Sequence, residues 1–153
     1  MFRKSRVMKN SICIVILLLS YSCNSQSSIE DELKGNWYPG YLGDLNEDYT
    51  EFYIDKDKIY YFNLLSETIT KSDYYISDSF LFLKKNQQKE FEKMGSIYIL
   101  NDTLYIENQG TKSFFLKQMS TPTLESFIKK KVDLDDFFDA YLKRITTWNE
   151  NKS

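Results

Sequence analysis

From Gly35 to Met119 the chain is a succession of short apolar, aromatic and β-branched runs separated by polar breaks. The runs are Glu51 to Ile54, Ile59 to Leu64, Tyr74 to Ile76, Phe80 to Leu83, Ile97 to Leu100, Thr103 to Ile106 and Phe114 to Leu116, and each has strand composition. Asp55 to Lys58, Ser77 with Asp78, and Asn101 with Asp102 supply the breaks; the last, two polar residues between apolar pairs, is a tight-hairpin signal. Each break joins one strand directly to the next, and no helical crossover is available to make neighbours parallel. The fold class is therefore mainly β, an antiparallel up-and-down meander. With Trp37 opening the set, about eight strands are expected, the number at which a small meander closes into a barrel and removes its own edges.

The stretch Leu33, Lys34, Gly35, Asn36, Trp37, Tyr38 carries a Gly-x-Trp opening that resembles that of lipocalin-like domains. The resemblance covers roughly Leu33 to Lys117. It implies that Gly35 lets the chain enter the barrel closely and that Trp37 plugs the closed end. It departs from the family at the usual arginine near the last strand, where only Lys112 and Lys117 stand. The length fits the small lipocalin-like domains of bacterial lipoproteins better than full lipocalins.

The N-terminus has the order of a secretory signal, with basic residues Arg3, Lys4, Arg6 and Lys9 ahead of an apolar run from Ile12 to Leu19. That run is too short to span a bilayer, which takes about 20 apolar residues. Ser20, Tyr21, Ser22 and Cys23 follow, and resemble a bacterial lipobox with its leucine displaced to Leu19, four residues before the cysteine. The resemblance implies lipid attachment at Cys23 and cleavage just before it, with membrane lipid as the partner; an ordinary signal cut near Ser22 would instead leave a free thiol. Asn24 in place of the aspartate that resembles an inner-membrane retention signal points to the outer membrane of the cell envelope.

The expected division is a signal at 1–22, an acylated cysteine and linker at 23–32, a β domain at 33–119 and helices at 120–150. Structure is expected to begin near Leu33. Of the two cysteines, Cys13 leaves with the signal and Cys23 becomes the anchor, so no disulfide remains to stabilise the fold. Loss of the four basic residues of the signal deepens the formal net charge from −2 to about −6. A chain this acidic is a poor partner for nucleic acid or anionic headgroups.

After Ser120 the period changes. Thr121 and Pro122 mark a helix start before Leu124, Phe127 and Ile128, and Asp133 caps a second, strongly amphipathic segment carrying Leu134, Phe137, Phe138, Tyr141, Leu142, Ile145 and Trp148. Its aromatic stripe packs on the barrel's outer wall or across one mouth; the alternative is docking to a partner or a membrane interface.

The chain has no histidine, and processing would leave no free cysteine, which excludes histidine-dependent nucleophile systems and histidine-bearing zinc and iron sites. Asp44, Glu47 and Asp48 in a loop and Asp55 with Asp57 in a turn offer oxygen ligands without EF-hand spacing, and read as solvated turns rather than a calcium site. No catalytic residue, metal or cofactor is expected. An envelope hydrolase would need clustered carboxylates in a cleft.

The positive signal is aromatic. Tyr60 with Tyr61, Tyr74 with Tyr75 and Phe114 with Phe115 are adjacent in strands, so one ring of each pair points inward and one outward. The inward rings either fill a narrow barrel or line a cavity for a partly apolar small ligand. Two functions follow: a lipid-anchored binding domain for a small apolar or amphiphilic ligand, or a filled scaffold that engages another envelope protein.

Overall fold

A computed structural model of the chain describes residues 28–40, 49–84 and 88–151. Eight strands form a closed barrel in which each pairs antiparallel with its sequence neighbours and β1 returns to β8. They are β1 Gly35–Pro39, β2 Phe52–Ile54, β3 Lys58–Asn63, β4 Thr68–Ser77, β5 Phe80–Lys84, β6 Glu92–Leu100, β7 Thr103–Asn108 and β8 Thr111–Lys117. The expected strand count, order and antiparallel sense are all met.

Three hairpins turn on two residues at positive φ: Asp78 with Ser79, Asn101 with Asp102, and Gln109 with Gly110. Two successive left-handed residues are what a type I′ turn requires, and its twist matches that of the flanking strands. Asn and Asp reach this region at small cost because they are short and polar.

Two strands run further than their apolar runs suggest. β4 begins at Thr68 rather than Tyr74, because Thr68 to Asp73 completes a six-residue ladder with β3. β6 begins at Glu92 rather than Ile97; a bulge between Leu81 and Phe82 of β5 and their β6 partners breaks the alternation there. Gly95 lies beside that bulge with φ of +154°, and a Cβ on it would come within 2.4 Å of the Glu107 carbonyl oxygen on β7. Only glycine allows that approach.

Ordered structure starts earlier than Leu33. Ser28 caps a short helix, α1 (Ile29–Leu33), by accepting a hydrogen bond from the Asp31 N–H. Leu33 is fully buried and Ile29 packs beside it, both in one core with Trp37, Tyr74, Leu81, Ile97 and Leu104. α1 thereby closes the barrel end where β1 starts. The connections between β1 and β2, β3 and β4, β5 and β6, and β7 and β8 all emerge at the opposite end.

The C-terminal helices are α2 (Leu124–Ile128) and α3 (Leu134–Asn151). Thr123 and Ser126 form a reciprocal capping box at the start of α2, and the Asp133 carboxylate accepts from the Asp136 N–H at the start of α3. Of the two placements expected for the stripe, the outer wall is the one observed. Phe137 and Tyr141 are buried against Phe62, with ring centroids 4.9 and 5.2 Å away in edge-on contact. The covered wall is that of β2 and β3, whose outward residues Tyr53, Tyr60 and Phe62 join this second core. It also explains why β2 is buried on both faces: Phe52 and Ile54 face the barrel interior while Tyr53 faces the helices.

Candidate functional site

The aromatic pairs divide as strand alternation requires. Tyr61, Tyr74 and Phe115 join the barrel interior, while Tyr60 stacks on Tyr53, Tyr75 on Phe82, and Phe114 lies near Tyr105 on the outside. Toward α1 the interior is filled. Trp37 has no exposed surface, and its indole N–H donates to the Leu33 carbonyl at 2.8 Å, so the ring is fixed by the helix that caps it. Gly35 has φ of +132°, and a Cβ there would meet Lys117 Cε at 3.1 Å. Lys117, opposite Trp37 in the β1–β8 ladder, holds its ammonium 5.4 Å from the indole centroid and donates to the Glu32 carbonyl. The cation on the last strand is thus a lysine, and it ties β8, Trp37 and α1 together.

Toward the other end the packing is incomplete. A cavity of about 240 Å³ remains inside the barrel, walled by residues such as Phe52, Ile59, Leu83, Met94, Leu104 and Phe115. A second space of about 670 Å³ lies between the β3–β4 turn and α3, with the outward Phe62 and Tyr141 as well as Leu64, Leu65, Ile145 and Trp148 on its walls. Thr50 and Tyr61 line both spaces. The sequence left a filled barrel and a cavity open; Trp37 fills the closed end, and a cavity remains within the interior.

Tyr61 and Thr50 are the hydroxyl-bearing residues that the two spaces share. The Tyr61 ring packs on Phe52, and among the described residues its hydroxyl has no hydrogen-bond partner. Burial pushes its pKa up to about 12. An inward tyrosine whose hydroxyl is not used by the fold is the usual means by which an apolar pocket fixes the orientation of a guest.

A polar clasp lies beside the larger space. Arg144 of α3 makes two hydrogen bonds to the Glu51 carboxylate, and its Nη1 also donates to the Pro122 carbonyl at 2.9 Å. Tyr49 donates its hydroxyl to Glu51, and burial together with that carboxylate raises the phenol well above its ordinary pKa. Trp148 donates its indole N–H to the Pro39 carbonyl, and Asn36 pairs with both the backbone and the side chain of Glu125. The bonds of Arg144 to Glu51, of Trp148 to Pro39 and between Asn36 and Glu125 each join a C-terminal element to β1 or to the entry of β2. Among the described residues no charged side chain lines either space.

Of the acidic residues singled out in the sequence, Asp55 and Asp57 sit in the β2–β3 turn at the closed end. Lys58, beside them, bonds Asp73 at 2.7 Å and lies 3.9 Å from Asp57. Asp44, Glu47 and Asp48 lie outside the described residues, as do Cys23 and the whole apolar run before it. Among the described residues no helix is long and apolar enough to cross a membrane. Comparisons with family models, with curated proteins and with solved structures give no match.

Proposed function

We propose that this chain is a lipid-anchored envelope protein, acylated at Cys23, whose non-catalytic lipocalin-like barrel binds a small apolar or amphiphilic molecule through its mouth. The observation that carries the binding half is the apolar cavity of about 240 Å³ inside the barrel, with a second space of about 670 Å³ that shares Thr50 and Tyr61 with it. A core that served only stability would gain by closing such a void, since each cubic ångström left empty costs about 24 cal/mol in a comparable cavity series. The anchoring half rests on the order of basic, apolar and small residues ahead of Cys23, and two or three acyl chains hold a domain far more firmly than one. Outer-membrane placement follows from Asn24. Gly35 and Trp37 then act as the closing motif at the sealed end.

The test is native mass spectrometry of detergent-extracted protein beside its Cys23→Ala variant. Lipid mass present only with Cys23, together with a co-purifying small molecule, supports both halves. Equal mass in the two proteins removes the anchor, and an empty domain that takes up no apolar probe removes the carrier.

A second reading has its own observation. The helices leave the outer wall of β4 to β8 bare, and it carries two stacked aromatic pairs, Tyr75 on Phe82 and Tyr98 on Tyr105, with the Lys112 ammonium 4.4 Å from the Tyr105 ring. Exposed rings of this kind suit a protein partner at the envelope. Under this reading Tyr98→Ser abolishes partner cross-linking and leaves probe binding unchanged.

A further inference from the structure

A crevice of about 300 Å³ lies outside the barrel, between α3, β1 and the chain that leaves β8. The rings of Tyr38 and Trp148 are on its walls, with Gln118, Ser120, Lys143 and Arg144 beside them. It shares no lining residue with the interior cavity. We propose that this crevice is a binding site for a small organic carboxylate. The proposal does not rest on the barrel's cavity.

The argument is a count of hydrogens to give. The Ser120 hydroxyl accepts from the Gln118 amide at 2.6 Å, so its own hydrogen is left to donate. Glu51 and the Pro122 carbonyl take three of the Arg144 N–H groups, and a guanidinium carries more. Lys143, exposed on the same helix, adds an ammonium that can only donate. These groups converge on one crevice and ask for an acceptor of more than one bond, which a carboxylate is. Charge narrows the class further. Arg144 is balanced by Glu51, so the one net positive charge among the described lining residues is that of Lys143. A single negative charge matches it better than the two of a phosphate monoester.

The rest of the ligand follows from the walls and the volume. Trp148 donates its indole N–H to the Pro39 carbonyl at 2.9 Å, so its ring is held in place by the fold rather than left to the solvent. With Tyr38 it suits a flat or apolar body. At ~30 Å³ per heavy atom, the share of one water molecule in the liquid, about 300 Å³ takes about ten such atoms.

The probes are phenylacetate, its neutral isostere phenylacetamide, and phenyl phosphate, titrated at neutral pH into the folded, detergent-extracted protein. Proton–nitrogen NMR provides the readout. The chain has two tryptophans, so Trp148 reports on the crevice through its indole N–H signal and Trp37, buried at the closed end, is the internal control. Phenylacetate should move the Trp148 signal alone. Phenylacetamide should bind ~10-fold more weakly, the difference between a charged and a neutral acceptor. Lys143→Gln, an exposed change on a helix surface, should weaken phenylacetate by ~2- to 5-fold and leave phenylacetamide unchanged. Added salt should act in the same direction as the substitution.

Phenylacetamide binding as tightly as phenylacetate, or a phenylacetate affinity that Lys143→Gln leaves unchanged, overturns the anion site. Phenyl phosphate binding ~10-fold tighter than phenylacetate overturns the carboxylate class. A Trp148 signal that no probe moves, in protein whose melting curve is intact, makes the crevice a solvated gap and overturns the site altogether. The barrel's own binding function is tested separately and stands or falls on its interior.

Discussion

Arg144 and Glu51 form a two-point ion pair across the join between helix and barrel, Nε to Oε1 at 2.6 Å and Nη2 to Oε2 at 2.9 Å. Glu51 is almost wholly buried, so its carboxylate depends on this partner. Arg144→Leu should therefore cost about 3–5 kcal/mol, the usual result of leaving one member of a buried pair without its counter-charge. Replacing both, with Glu51→Leu added, should recover much of that loss. Urea unfolding of the two single variants and the double checks it, and a double variant less stable than either single one would contradict it.

Trp37 fills the closed end, and its ring is held by Leu33 and Lys117. Trp37→Ala should destabilise the barrel by about 3–5 kcal/mol, through lost burial and the cavity left behind. Trp37→Phe should cost less, because only the hydrogen bond to Leu33 and part of the packing go. Thermal melts followed by far-UV circular dichroism separate the two.

Gly95 owes its place to backbone proximity as well as to φ. In Gly95→Ala the new methyl would press on the Glu107 carbonyl, which is backbone and has no rotamer to escape into. A loss of about 1–3 kcal/mol is expected from strain at that position. Gly110→Ala offers the comparison: its φ is +82°, but no atom lies within 4 Å of where the methyl would sit, so it bears the backbone cost alone and should lose less. Denaturation midpoints for the pair test the ordering.

Alkaline pH should loosen the fold in a defined window. Burial pushes Tyr61, Tyr74 and Tyr141 up to about 12 from an ordinary value of 10.0. The unfolded chain therefore releases these protons first, and stability, complete below pH 10, falls as the pH rises from there through about 12. Melting temperature measured across that range, with tyrosinate absorbance alongside, should show the decline. Tyr61→Phe should flatten part of it.

Much of the barrel is written locally. Asn101 with Asp102 announces its turn because both residues must take positive φ, and the adjacent aromatic pairs announce their two faces because alternation leaves no other arrangement. The opening half of β4 is not announced. Thr68 to Lys71 are exposed although paired, so burial imposes no apolar pattern on them. α1 is hidden for a different reason: Ile29 and Leu33 are its apolar residues, and Ser28 serves equally as a tether or as a cap. At the site, alternation makes one ring of the Tyr60–Tyr61 pair legible as inward without saying which, and the place of Thr50 is not legible, because it stands outside any apolar run. The clasp is illegible, since Glu51 and Arg144 are 93 residues apart and the strand and helix patterns that contain them do not say that the two meet.

The ring has one seam, and its position bears on how the molecule is made. Seven of the eight strand pairings join neighbours in the sequence, so each can form as soon as its hairpin exists. The eighth joins β1 to β8, and Asn36 and Pro39 on β1 also receive the bonds from Glu125 and Trp148. A chain that emerges from its N-terminus therefore produces β1 first and completes it last. Until β8 and the helices arrive, β1 carries an unpaired edge of the kind that invites wrong pairing. The protein is a ribbon that waits for its own end, and any factor that holds it unfolded has that edge to shield.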